Sequence, residues 1–172
     1  MQTGGFDVSN WYQVSREAIQ RVYGQDWRLF CGLLAATSPH AHIKGNTTLA
    51  KRAYNEIKLT GTVKREHFCL THYRGILAIL TSGQPNGRKC QAFYRNLIGL
   101  EDSVPVDIWM MRKWGLDKQT PTRVEYDRIE HDVKSRAFYN FNTPAQEQAA
   151  VWGSIRGDAG SYANELNQYR LF

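Results

Sequence analysis

Cysteine is scarce and scattered in this chain. Cys31, Cys69 and Cys90 are the only three in 172 residues. No two of them stand in CxxC spacing, so a zinc or iron–sulfur centre built on cysteine is not expected. Each sits in an apolar stretch and reads as buried structural thiol, which fits a reducing interior. Long hydrophobic runs are missing too. The longest nearly uncharged apolar stretch, Leu29 to Ser38, is about half of what a bilayer-spanning helix needs. Met1 to Asn10 lack the apolar core of a signal peptide, and a soluble, cytoplasmic protein is expected. No run alternates as a half-buried strand would, and no repeat, low-complexity tract or clear interdomain linker is visible. Acidic residues are the minority, 16 against 22 Lys and Arg, for a formal charge of +6. That excess suits a polyanionic partner, because each neutralised phosphate releases a condensed counterion. The hydrophobic fraction of 42% is enough for a core, and the length fits one domain, 1–172, compact or divided into two small lobes around a cleft.

Helical periodicity fills the space left by the absent strands. A first helix is expected from the Ser9-Asn10 cap signal to Tyr23, stopped by Gly24, and a second from Asp26 to about Ala36, apolar enough to be central. Thr37-Ser38-Pro39-His40 breaks the chain. A third helix is read from about Asn46 to Leu59, and a fourth from His67 to Leu80 with Leu70, Tyr73, Leu77 and Leu80 facing inward. Thr81 to Gly87 is a tight turn by composition. Arg88 to Gly99 follows as a helix, with Phe93, Leu97 and Ile98 inward. Asp102 to Val106 is a loop, and Asp107 opens a helix over Ile108 to Trp114. Thr122 to Ala137 is a charged helix, in which Glu125, Asp127, Glu130 and Asp132 read as a solvated face. Thr143-Pro144 with Gln146 marks the start of another, running to about Ile155. A short last helix, Tyr162 to Tyr169, reads as a clasp.

The informative stretch is Leu80 to Trp114. It holds a helix, a glycine-containing hairpin, a helix opening on Gly87-Arg88-Lys89, then Val106-Asp107 opening the next, with Arg112 downstream. In these features the sequence resembles the helix-hairpin-helix DNA glycosylase superfamily, and within it the endonuclease III branch, whose Lys-to-Asp separation it matches. Leu33-Leu34-Ala35-Ala36-Thr37 resembles that family's buried helix and the start of the loop behind it. The likeness spans about residues 28 to 157, with the helix-hairpin-helix region at about 67–99 and the Asp loop at 102–107. The chain differs in carrying Pro85-Asn86-Gly87 where the family has two glycines around an apolar residue. It has Trp109 where many members have His, and it lacks the four-cysteine cluster module. The resemblance implies an all-α, two-lobed helical bundle with the active cleft between lobes. It implies a DNA glycosylase with abasic-site lyase activity that flips out and excises a damaged or modified base without cofactor or metal. DNA is the implied partner, no membrane is involved, and a monomer in the nucleoid is expected.

The chemistry asks for these residue types. Breaking an N-glycosidic bond builds positive charge on the sugar, which a carboxylate such as Asp107 stabilises. A neutral amine such as Lys89 can attack C1′ and form a Schiff base that permits strand cleavage. The start of a helix and the neighbouring Arg88 both disfavour an ammonium there. Asn86, Gly87, Arg88, Lys44 and Arg112 are the candidate DNA contacts, and Thr37, His40 and Trp109 the candidate base-pocket residues. Several have a second reading. Lys44, with Lys51 and Arg52, is a phosphate-contacting edge or solvated surface. Trp109 and Phe93 stack on an extruded base or pack the core. His40 and His42 line a pocket or wedge into DNA. Gln146 and Gln148 belong to a pocket wall, a cap or the surface. Two other functions use the same residues: a non-catalytic helix-hairpin-helix DNA-binding protein, and a group-transfer enzyme, phage-encoded or not, acting on hypermodified bases. A sequence-specific regulator is a further alternative.

Overall fold

The structure is a computed structural model that describes residues 7–156 and 161–167. All regular structure among them is helical. The elements are α1 (Trp11–Tyr23), α2 (Trp27–Thr37), α3 (Ile43–Thr60), α4 (Leu70–Ser82), α5 (Arg88–Leu97), α6 (Ile108–Lys113), α7 (Arg123–Asn140), α8 (Pro144–Arg156) and α9 (Tyr162–Asn167). The end signals act as chemistry predicts. Gly61 and Gly83 close α3 and α4 in the left-handed conformation, where a Cβ is costly. Thr122 and Glu125 form a reciprocal capping box on α7. Thr143 and Gln146 make the same pair of bonds on α8.

Two helix starts differ from expectation by about three residues. The first is α3, which starts at Ile43, so Asn46 is a buried strut one turn inside the helix. The second is α4, which starts after Cys69 because Arg65–His67 form a 3-10 turn and Phe68 is extended and buried; Cys69 is exposed, unlike Cys31 and Cys90. Of the last helix, positions 168 and 169 lie outside the described residues. The inward face of α4 also differs, being His72, Gly75, Ile76 and Ile79. A Cβ on Gly75 would lie 3.1 Å from the Ala36 carbonyl oxygen, and one on Gly32 would lie 2.8 Å from Ile79 Cδ1. Helices α2 and α4 therefore cross closely through their glycines, which leaves Leu70 exposed while Tyr73 and Leu80 pack partly against the core.

Burial divides into two clusters. The larger gathers Ile19, Phe30, Leu33, Leu34, Ile76 and Leu97 around α2, whose residues 30–37 are all buried. Helix α9 closes this cluster by packing on α1 and α3, the clasp expected from sequence. The smaller joins Val104 and Val106 to Met110 and Met111 of α6 and to Tyr126, Ile129 and Val133 of α7. Helix α8 serves both, with Ala145 and Ala149 in the first and Val151 in the second.

Candidate active site

Asp107 is placed by a loop tied at both ends. On one side Asn96 of α5, wholly buried, donates from Nδ2 to the Ser103 carbonyl at 2.8 Å. On the other, the buried Tyr126 hydroxyl donates to the Val104 carbonyl at 2.8 Å and receives the Val106 N–H at 3.3 Å. With Val104, Pro105 and Val106 buried, the carboxylate that follows has little freedom. Its Oδ1 accepts the Met110 N–H at 2.9 Å and caps α6, and its Oδ2 accepts the Trp152 indole N–H at 2.9 Å.

Lys89 is the second residue of α5, half-buried, and makes no hydrogen bond or ion pair among the described residues. The helix begins where it does because Gly87 takes φ 82°, a backbone conformation that residues with a Cβ rarely adopt. Arg88 pins that end to α7. Its guanidinium binds Asp127 at 2.5 Å, also binds Glu130, and lies 4.0 Å from the centre of the Tyr126 ring.

Two confluent cavities meet at this point. The inner one, about 100 Å³, lies between the two clusters and is walled by Trp11, Ile43, Phe93 and Trp152, with Tyr12, Asn46, Gln148 and Tyr162 supplying its polar atoms. The outer one is a broad trough of about 710 Å³ carrying Arg88, Lys89, Arg112, Arg123 and Arg156 against the single carboxylate of Asp107. Lys89 and Asp107 line both, together with Ser38, Ala41 and Arg156. Lysine amine and carboxylate thus share the neck between a small aromatic chamber and a basic trough.

The other candidate residues are distributed unevenly. Gly87, His40, Trp109 and Arg112 line the trough. Trp109 is flanked by guanidiniums, Arg112 at 4.8 Å and Arg156 at 5.2 Å from its ring centre, and Arg156 also lies over Trp152. Thr37 does not reach either cavity. It is fully buried, and its hydroxyl donates to Asn46 Oδ1 at 2.6 Å and lies 2.8 Å from the Leu33 carbonyl, so it supports the chamber from behind. Asn86 is exposed on the hairpin and donates to the Arg74 carbonyl; Lys44 is exposed in the first turn of α3, beside the trough residue His42. The α7 carboxylates are not an idle solvated face. Asp127 and Glu130 hold Arg88, Asp132 accepts the Trp114 indole N–H, and Glu125 pairs with Lys118. Lys118 and the capping bonds hold the Glu125 carboxyl down at about 2.

Sequence reading did not single out Tyr12, Asn46, Trp152, Arg156 or Tyr162, which come from four helices and meet only when α1, α3, α8 and α9 pack. Nor did it find His72, whose Nε2 meets the Pro39 carbonyl at 2.7 Å and fixes the loop at the trough edge. Phe93 and Gln148 do line the chamber. Among the described residues no three His, Cys, Asp or Glu side chains gather as metal ligands do, and no helix is long and apolar enough to cross a membrane.

An all-helical protein with a lysine and an aspartate at the neck of a two-part cleft is the class that fold and site define. The chain belongs to a family of unknown function, DUF7178, whose model matches residues 6–159. No curated protein and no solved structure matches it.

Proposed function

We propose that this protein is a DNA glycosylase with abasic-site lyase activity, built on a helix-hairpin-helix glycosylase-like fold and acting as a monomer. One observation carries the reading: Lys89 and Asp107 stand together where a chamber of single-base dimensions opens into a cationic trough. A duplex along the trough contributes its phosphates to that surface, and a base turned out of the stack enters the chamber. The sugar then rests at the neck. Asp107, held by Met110 and Trp152, faces the positive charge that develops as the glycosidic bond breaks. The Lys89 amine attacks C1′ as the base departs with its bonding pair and takes up a proton; the nitrogen then loses a proton, the C1′–O4′ bond opens with protonation of O4′, and the Schiff base so formed allows β-elimination of the 3′-phosphate. An amine without an internal carboxylate partner suits this role. The α4–α5 hairpin, with Gly83 and Gly87 both at positive φ, stands where such a fold grips the backbone.

Borohydride trapping on an abasic duplex tests the reading. Wild-type protein is expected to form a covalent adduct, and Lys89→Ala to form none while keeping its helical content. An adduct that survives in the alanine variant removes Lys89 from the nucleophile's role. No adduct in either protein, with lesion oligonucleotides left intact, favours a non-catalytic DNA-binding protein.

A further inference from the structure

The inner chamber is polarised by two hydrogen-bond relays that begin at the backbone. In the first, Asn96 is locked by Ser103, whose N–H and carbonyl engage Oδ1 and Nδ2 respectively. The Tyr12 hydroxyl, beside Asn96, donates to Gln148 Oε1 at 2.9 Å. This fixes the Gln148 amide with its Nε2 hydrogens left over, and Nε2 has no acceptor among the described residues. In the second relay Asn46 Nδ2 donates to the Leu34 carbonyl at 3.1 Å, which only a nitrogen can do, and to the Tyr162 oxygen. The Tyr162 O–H is therefore free to donate, and it too has no acceptor among the described residues. Burial raises its pKa well above the usual tyrosine range, so the proton stays on. Tyr162 and Gln148 are 3% and 6% exposed and both line the chamber. Beside them, Gln148 Oε1 receives the Tyr12 proton and Asn46 Oδ1 faces the Thr37 hydroxyl.

We infer that the chamber selects its ring by carbonyl oxygens: a 2,4-dioxopyrimidine is accepted, and a ring bearing an exocyclic amino group is turned away. This rests on the glycosylase reading for the claim that the occupant is a base. Two donors that line the chamber without an acceptor among the described residues match two carbonyls, whereas an amino group in place of one carbonyl sets donor against donor. A space of about 100 Å³ suits one ring better than two. Tyr162 and Gln148 set specificity, and Tyr12 positions Gln148.

Ligand-observed NMR titration of the whole protein with 1-methyluracil and 1-methylcytosine tests this without catalysis. The uracil is expected to bind about tenfold tighter or more, the scale of one well-made hydrogen bond. Tyr162→Phe keeps the ring and removes one donor; it should weaken 1-methyluracil about tenfold and leave 1-methylcytosine unchanged. Gln148→Met does the same from the other wall and replaces the first variant if that one unfolds on heating below wild type. Tyr12→Phe frees the Gln148 amide to turn and should narrow the uracil preference, which a loss of packing alone does not do. Equal or tighter binding of 1-methylcytosine, indifference to both donor deletions, or no binding of either ring overturns the assignment. Adduct formation on abasic DNA involves no base in the chamber, so its outcome reports separately on the glycosylase reading.

Discussion

Both oxygens of Asp107 are occupied, and by donors of different kinds. The Met110 N–H is a helix-capping bond that asparagine reproduces well, at a cost of a few tenths of a kcal/mol. The Trp152 indole N–H needs an acceptor at Oδ2, and an amide nitrogen there presents donor to donor. Asp107→Asn is therefore expected to lower stability by about 1 kcal/mol, more than a cap replacement alone. Base release should fall by about a hundredfold or more, the scale of one preorganised contact to transition-state charge. Single-turnover kinetics with a lesion duplex and thermal unfolding measure the two separately. Near-normal turnover would reduce Asp107 to a cap. Arg88 illustrates the opposite case, a residue whose charge looked available in the sequence and is answered in the fold by Asp127 and Glu130.

At the scale of elements, the α2–α4 crossing sets the depth of the fold. Gly75→Leu separates two effects of opposite sign. Leucine is the stronger helix former, worth roughly 0.8 kcal/mol in a helix interior. Its side chain meets the backbone of Ala36, which a buried helix cannot withdraw, and overpacking of this kind costs about 1–3 kcal/mol. Packing should prevail, so the variant is expected to unfold at lower denaturant concentration than wild type, with a similar m-value. The shift of α4's inner face by one position has the same cause. Periodicity located an apolar stripe, and a contact between small residues decided which neighbouring stripe was buried. The hairpin that follows, with Pro85 buried and Asn86 exposed, holds the start of α5 and hence Lys89.

For the whole molecule the consequence is electrostatic. If the trough holds duplex DNA, log Kd should change linearly with log salt, with a slope set by the phosphates neutralised. Lys44 and Arg112 have no ion pair among the described residues, so replacing both with alanine should flatten that slope by about two contacts. Arg88→Ala should flatten it by less than one, since two carboxylates already share its charge. Fluorescence anisotropy at several salt concentrations distinguishes these, and a salt-independent affinity sinks the DNA reading. Mismatched and abasic duplexes should bind more tightly than matched ones, because less unstacking is spent in turning a base out.

Local chemistry decided what the sequence could reveal. Helix starts and stops were readable because caps, glycines and prolines act within one turn, and α1, α5, α6 and α8 begin within about a residue of their signals. Lys89 and Asp107 came forward as a pair through a resemblance carried by Gly87-Arg88-Lys89, Val106-Asp107 and their separation in the chain, and the fold brings both to the lining of the same two cavities. The all-helical class followed from periodicity and the absence of alternation. What surrounds that pair was left to tertiary structure. Tyr12, Asn46, Gln148 and Tyr162 lie on four helices separated by up to 150 positions, and nothing local distinguishes them from ordinary buried polar residues. Their donors and acceptors acquire direction only when α9 closes on α1 and α3 and the backbone carbonyls of α2 come within reach. Thr37 shows the same rule in reverse: a hydroxyl placed by sequence at the pocket's edge lies behind its wall, bonded to the Leu33 carbonyl and Asn46.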